Sequence, residues 1–282
     1  MRGGVVTQMR GSRVLITGAA SGIGRLMALE AAGRGAQVMA WDIDATGLAS
    51  LAGGSMRCQV VDVTDRQAVY AAASDVEETL GGVDVLVLNA GVVCGRPLLE
   101  IPDGVVRTVM DVNVLALFWC TKAFLPGMVQ RGRGHLAVIG SVVSAVPAAG
   151  ASAYVASKHA AYGFTETVRL ELRTQAPGVR TTFVMPYLIN TGMFEGAGET
   201  RLYPLLRMLE PEPVAVRVID GIERDKARLV LPAWGPALIF PLRMLPPRAS
   251  DWLQDMLGFL TPMQSVHGRA LARRPRSPQA DT

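Results

Sequence analysis

Tyr154 and Lys158 stand four residues apart in Ser152–Gln175, a segment whose pattern predicts one long helix, and residues at i and i+4 share a helix face. A phenol beside an ammonium is a candidate acid/base pair. A phenol pKa near ~10 is too high for a base at neutral pH, and a neighbouring cation lowers it. Taken alone, the pair is explained equally well by a solvated helix face. A second constellation, Thr17-Gly18-Ala19-Ala20-Ser21-Gly22-Ile23-Gly24, lies between a candidate strand and a helical pattern running from Arg25 to Arg34. Glycines there permit a tight turn and close approach to a pyrophosphate, and the helix N-terminus adds amide donors. An ordinary glycine-rich loop without a ligand is the alternative. The next candidate strand ends at Asp42, 18 residues after Gly24. A carboxylate there accepts hydrogen bonds from adenosine ribose hydroxyls and repels a 2′-phosphate. Neither Ser21 nor Ile43 is a Lys or Arg that would receive such a phosphate. NAD is therefore expected over NADP; the competing reading is that Asp42, or Asp44, merely caps the next helix.

Positioning these groups takes a scaffold. Short β-branched runs are the candidate strands Arg13–Thr17, Gln37–Trp41, Met56–Val61, Val83–Leu88, His135–Gly140, Arg180–Met185 and Arg228–Leu231. Helical spacing separates them, as in Ala68, Val69, Ala72, Val76 and Leu80, opened by a capping box of Thr64 and Gln67. Alternation with near-continuous apolar strands predicts an α/β fold in a single domain, a doubly wound seven-stranded parallel sheet. The domain is expected over 11–232, after a flexible N-terminus at 1–10. Three glycines (Gly192, Gly196 and Gly198) and an apolar run (Leu202, Leu205, Leu206, Leu209) suggest a lid at about 191–213. An apolar extension at 233–266 and a disordered tail at 267–282 would follow.

Composition narrows the function classes. Of 282 residues, 50% are hydrophobic and 18% charged, which favours a compact globule. Mean hydropathy is +0.28, yet no unbroken apolar run approaches the roughly 18–20 residues of a membrane span. Met1–Arg10 lacks the apolar core of a secretory signal, so a cytoplasmic location is expected. The net charge is +4, but Arg273, Arg274 and Arg276 beside Pro275 and Pro278 read as a solvated tail, and no nucleic-acid partner is expected. Cys58, Cys94 and Cys120 suit neither a disulfide framework nor a zinc site. His135, His159 and His267 lack metal-ligand spacing, so no metal is expected.

At these motifs the chain resembles the short-chain dehydrogenase/reductase family over residues 13 to about 232, and so a Rossmann fold. The family's TGxxxGxG loop matches Thr17 to Gly24, and so implies cofactor contacts at Gly18, Ser21, Gly22, Ile23 and Gly24. Its acidic residue after the second strand matches Asp42, and the adenine contact matches Asp62 and Val63. Its NNAG motif appears as Leu88-Asn89-Ala90-Gly91, with Leu88 in place of the first Asn. The catalytic Asn matches Asn113, the catalytic Ser matches Ser141, and YxASK is intact as Tyr154-Val155-Ala156-Ser157-Lys158. Pro186-Tyr187 stands where the family has Pro-Gly, and Ile189 and Thr191 match positions that hold the nicotinamide carboxamide. Within the family, Met39-Ala40-Trp41-Asp42-Ile43, Val112 to Ala116, Lys122 to Pro126 and Leu209-Glu210-Pro211-Glu212 are similar to the 17-beta-hydroxysteroid and retinol dehydrogenase branch.

The resemblance implies hydride exchange between an alcohol and NAD. Tyr154 would act as acid/base, Ser141 would bond the reacting oxygen, Lys158 would lower the phenol pKa and hold the ribose, and Asn113 would keep a proton-relaying water chain. Motif alignment places Val142, Val143, Cys94, Tyr187, Met193 and Phe194 near the reacting carbon, with Leu202, Leu206 and Met208 from the lid. None is charged, so a lipophilic secondary alcohol or ketone is expected. Ala237 to Phe240 and a helix after Ser250, carrying Trp252, Leu253, Met256, Leu257 and Leu260, would roof the pocket or rest peripherally on a membrane. The family also implies a homodimer or homotetramer packed through its two longest helices. Three other readings stay open: a non-catalytic NAD-binding scaffold, a lipid-surface protein, and an epimerase or dehydratase.

Overall fold

The computed structural model describes residues 7–194, 207–235, 244–257 and Val266. Seven parallel strands form one sheet: β1 (Arg13–Thr17), β2 (Gln37–Asp42), β3 (Met56–Val60), β4 (Val85–Leu88), β5 (Gly134–Ile139), β6 (Val179–Pro186) and β7 (Arg228–Leu231). Their order is β3-β2-β1-β4-β5-β6-β7, so the winding reverses between β1 and β4. That reversal opens a crevice at the carboxyl ends of the two strands. The expected strand bounds hold to within two residues.

Alternate residues along each strand face opposite sides of the sheet, and the two faces carry separate cores. Leu15, Met39, Trp41, Leu86 and Leu88 face α3 (Arg66–Leu80), α5 (Ala116–Arg131) and α6 (Ser152–Gln175). Val14, Ile16, Val38, Ala40, Val85 and Val87 face α1 (Gly22–Gly33) and α7 (Pro211–Glu223). The short α2 (Ala45–Ala49) follows β2, and α4 (Asp103–Met110) precedes α5. A π-helical turn, Asp111–Leu115, joins α4 to α5. The last described helix, α8, is Pro247–Leu257.

One expectation about the helices is corrected. Asp65, not Thr64, caps α3, accepting from the amides of Gln67 and Ala68, while Thr64 donates instead to Asp62. A carboxylate one residue nearer the first turn meets two free amides, which a hydroxyl at Thr64 does not reach. The helical stretch Asp103–Arg131, though broken by charged residues, is long and apolar enough, by length and composition, to cross a bilayer. Half of its most apolar window is buried, with α5 packed on β4, β5 and α3 as a core helix. The segments 1–6, 195–206, 236–243, 258–265 and 267–282, with Gly196, Gly198, Leu202, Leu205, Leu206, Ala237 to Phe240, Leu260, His267 and the terminal arginines, lie outside the described residues.

Candidate active site

The glycine loop turns from β1 into α1 at the crevice. Gly18 takes φ +68°, a left-handed backbone that other residues seldom adopt. A Cβ on Gly24 would stand 2.0 Å from the Gly18 carbonyl oxygen, so only glycine lets the helix start this close to the strand. Two side chains stitch the loop to the end of β4. Thr17 Oγ1 accepts from the amides of Asn89 and Ala90 at 3.0 and 3.1 Å. Asn89 Nδ2 donates to the carbonyls of Thr17 and Gly18, each at 3.0 Å. Leu88 is buried in the core, and the stitching is done without the family's first Asn. Ser21 gives α1 no side-chain cap, and the first turn holds no acid. The positive end of this helix therefore stays uncompensated from within.

Asp42 closes β2 beside the loop. Its Oδ2 accepts from the Ala20 amide at 2.9 Å and its Oδ1 from the Asp44 amide at 3.0 Å. The helix cap is Asp44, which accepts from the Gly47 amide; Asp42 holds the glycine loop instead. Arg25 reaches away to α2, donating to Gly47 O and to Ser50 Oγ at 2.8 Å. Asp62 follows β3 and accepts from Thr64. The Val61 amide bonds the Asp42 carbonyl, which aligns these two turns. Val63 packs in one core, Ile189 in the other with Ile23 at its edge, so their side chains serve packing. Thr191, past the end of β6 and Pro186, lies within 3.5 Å of where a Cβ on Gly22 would stand, bringing the β6 loop onto the glycine loop.

The four groups matched to the family's catalytic residues converge beside this crevice. Tyr154 and Lys158 lie on the buried face of α6. The Lys158 ammonium donates to the Ile139 carbonyl at 3.0 Å and stands 5.7 Å from the Tyr154 ring centroid. Gly91 is at hand as well: a Cβ there would be 3.6 Å from Lys158 Nζ and 3.4 Å from Asn113 Oδ1. Burial pushes the phenol up to about 12, with the Ser141 side chain as a hydrogen-bond partner acting the other way. Burial also pushes the Lys158 ammonium down to about 8. Within the protein alone, then, desolvation outweighs any pull of the ammonium on the phenol, because the cation is aimed at a backbone carbonyl.

Ser141 caps a 3₁₀ turn, Val142–Ser144, through a reciprocal capping box. Its Oγ accepts from the Val143 amide, and its own amide donates to Ser144 Oγ at 3.2 Å. Asn113 sits in the π-helical turn with its side chain fully used. Oδ1 accepts from the Val92 amide, and Nδ2 donates to the Val92 carbonyl and to Ser157 Oγ, each at 2.9 Å. Ser157 in turn donates to the Tyr154 carbonyl at 2.7 Å. Thr17, Ser144 and Ser157 were not singled out from the sequence, although Thr17 opens the glycine loop and Ser157 lies inside YxASK.

An apolar cluster surrounds the phenol: Val93, Ala151, Phe194 and Val266, with Val143, Leu188, Met193 and Met208 at its margin. Phe194 meets the Tyr154 ring edge-on, centroids 6.2 Å apart. Two placements differ from expectation. Cys94 packs with Ile101, Val109 and Val112, because extended backbone alternates its faces and Val93 takes the side toward Tyr154. Val142 likewise leans on the first core while Val143 joins the cluster. In the described part of the segment expected as a lid, the Asn190 amide donates to Leu209 O and the Leu209 amide to Leu188 O.

Comparison with known proteins matches this arrangement. Over 256 residues the chain is 39% identical to epidermal retinol dehydrogenase 2 of Mus musculus, covering 88% of this chain and 82% of that protein. It is 39% identical over 245 residues to estradiol 17-beta-dehydrogenase 11 of Homo sapiens, covering 84% and 80%. A solved short chain dehydrogenase/reductase from Burkholderia phymatum, in complex with NAD, superposes with a TM-score of 0.76 at 25% identity, over 93% of this chain and 99% of that one. A family model described as short chain dehydrogenase matches residues 12–202. That match takes in more than half of the chain and each residue the sequence marked for chemistry, and on that ground the chain belongs to the short-chain dehydrogenase/reductase family of oxidoreductases.

Proposed function

We propose that the chain is an NAD-dependent oxidoreductase that interconverts a lipophilic secondary alcohol and its ketone. The observation that carries this reading is Tyr154 itself. Its phenol is buried in an apolar cluster, with Ser141 and Lys158 as polar neighbours, beside the crevice between β1 and β4. The crevice suits a dinucleotide. The uncapped start of α1 offers amides to a pyrophosphate. Each Asp42 oxygen accepts one backbone amide, and a carboxylate with about four acceptor sites keeps capacity for ribose hydroxyls. Arg25, committed to α2, leaves that carboxylate uncompensated against a 2′-phosphate.

When bound, NAD supplies a hydride acceptor and, in its oxidised form, positive charge on the ring. Tyr154 takes the proton from the alcohol oxygen, and nearby positive charge favours the phenolate that burial alone disfavours. Ser141 donates to the same oxygen as charge develops there. Lys158, held by the Ile139 carbonyl and close to Gly91, would supply the cation that holds the ribose. Asn113 acts through Val92 and Ser157, fixing the loop on one side of Tyr154 and the helix on the other. Reduction uses the same groups with Tyr154 as the acid. The relatives named above carry retinol and estradiol in their names, both apolar alcohols, and the uncharged cluster around Tyr154 suits that class. Half-exposed Leu115 and Phe118, with Leu170 on α6, suit assembly through α5 and α6, which light scattering after size exclusion would measure.

The test is Tyr154→Phe, assayed with NAD and a panel of steroid, retinoid and small alcohols. Loss of about 10²–10⁴-fold in kcat with NADH binding retained supports the acid/base role. Turnover near the wild-type rate would refute it.

A further inference from the structure

The family match ends at residue 202, and the sheet ends with β7 at Leu231, yet one residue far beyond both joins the apolar cluster that holds Tyr154. Val266 is 3% exposed and shares a cluster with Val93, Tyr154 and Phe194. Its carbonyl accepts from the Gly95 amide at 3.3 Å. Gly95 continues the segment after β4 that carries Val93, so one backbone bond fixes the late chain to the loop already facing Tyr154. On α8, Trp252 is 66% and Met256 47% exposed, while Leu253 is half-buried.

Tyr154 is 4% exposed. Whatever reaches its hydroxyl must lie against, or displace, the groups that cover it. Phe194 belongs to the β6 loop and Val93 to the β4 loop, both within the family match. Val266 comes from outside it. We propose that Val266 is a specificity-determining residue, forming a wall of the substrate site and setting how bulky a group is admitted beside Tyr154. This deepens the reading of the site as an alcohol dehydrogenase and rests on it. A branched aliphatic side chain makes that wall uncharged and of fixed volume, which suits a rigid apolar substrate. In apolar pockets one methylene shifts discrimination by about 10–200-fold, so replacing this one side chain is enough to be measured.

The experiment compares Val266→Trp and Val266→Ala with the wild type, using NAD with estradiol and with cyclohexanol. The readout is the ratio of the two kcat/KM values. Val266→Trp should lower the estradiol-to-cyclohexanol ratio by about tenfold or more, and Val266→Ala should raise it by about tenfold. Equilibrium dialysis of estradiol against the NADH-loaded enzyme gives a second readout without turnover, expected to weaken by about tenfold in Val266→Trp. NADH binding by each variant shows that it has folded; if Val266→Trp fails this check, the Val266→Ala ratio decides alone. If both substrates change by the same factor, Val266 is a packing residue and the proposal is overturned. A wild type that binds NADH but oxidises and binds neither probe overturns the alcohol reading itself, a different failure.

Discussion

Asn113 Nδ2 donates to Ser157 Oγ at 2.9 Å, across 44 positions of sequence, and Ser157 passes the restraint to the Tyr154 carbonyl. A π-helical turn, uncommon and frequent at functional sites, is thereby tied to the helix that carries both Tyr154 and Lys158. Both partners are buried, so neither has water as a substitute.

Ser157→Ala should therefore destabilise the fold as well as slow the reaction. It leaves one Asn113 amide hydrogen unsatisfied, a cost of about 1–3 kcal/mol, which corresponds to a fall in Tm of about 3–8 °C. Circular-dichroism melts would read the first effect. Steady-state kinetics should show kcat falling more than NADH affinity, since the glycine loop is untouched. An unchanged Tm would mean that Asn113 finds another acceptor.

The pH dependence of turnover follows from the two buried groups. With the phenol at about 12 and the ammonium at about 8, burial leaves Tyr154 neutral at neutral pH, while Lys158 stays mostly protonated there and loses its charge as pH rises through about 8. Alcohol oxidation needs the phenolate, so its rate should rise from neutral toward alkaline pH. Ketone reduction needs the phenol and should hold over the same range before declining. Initial rates in both directions between about pH 6 and 10 check this; parallel profiles in the two directions would contradict Tyr154 as the proton carrier.

Asp42 is expected to do two jobs, and a variant should separate them. NAD should be preferred over NADP by about tenfold or more in kcat/KM, close to 1.4 kcal/mol. Combining Asp42→Ala with Ile43→Arg should move that preference toward NADP. Because the Ala20 amide loses its acceptor, affinity for both cofactors should fall together at the same time. NADH and NADPH titrations by fluorescence would show both effects, and a wild type that favours NADP would contradict the role of Asp42.

His135 gives a stability prediction far from the site. It is fully buried, with Thr182 Oγ1 at 2.8 Å from Nε2 and Thr7 Oγ1 at 2.9 Å from Nδ1, while Thr7 donates to Asp225 at 2.7 Å. Burial holds its pKa below the usual 6.5, against the opposing pull of Asp225. The unfolded chain therefore takes up the proton first as pH falls. This contribution to stability is complete above about 6.5 and is lost as pH drops toward the folded-state value. Urea midpoints at about pH 7.5 and 5 should fall more for the wild type than for His135→Gln. Equal losses would mean that the histidine is not the group titrating.

The sequence by itself determined the architecture, since period and turn chemistry are local. The bounds of α6 are those its pattern predicts, and the seven strands were legible from β-branched runs between glycine-rich turns. The convergence of the Tyr154–Lys158 pair with Ser141 and Asn113 was legible only through a resemblance to a family, because the pair, Ser141 and Asn113 lie on three separate parts of the chain. Side-chain partnerships followed tertiary structure alone. Asp65 displaced Thr64 as a cap because it lay nearer two free amides, and Val93 displaced Cys94 because extended chain alternates its faces. Lys158 turned to Ile139 once β5 was placed beneath α6. Val266 could not be read from its surroundings in the chain, which mix polar and apolar residues without a clear period. Only the folded chain, by bringing the Val266 carbonyl within a hydrogen bond of the Gly95 amide, put this residue in the cluster that holds Tyr154.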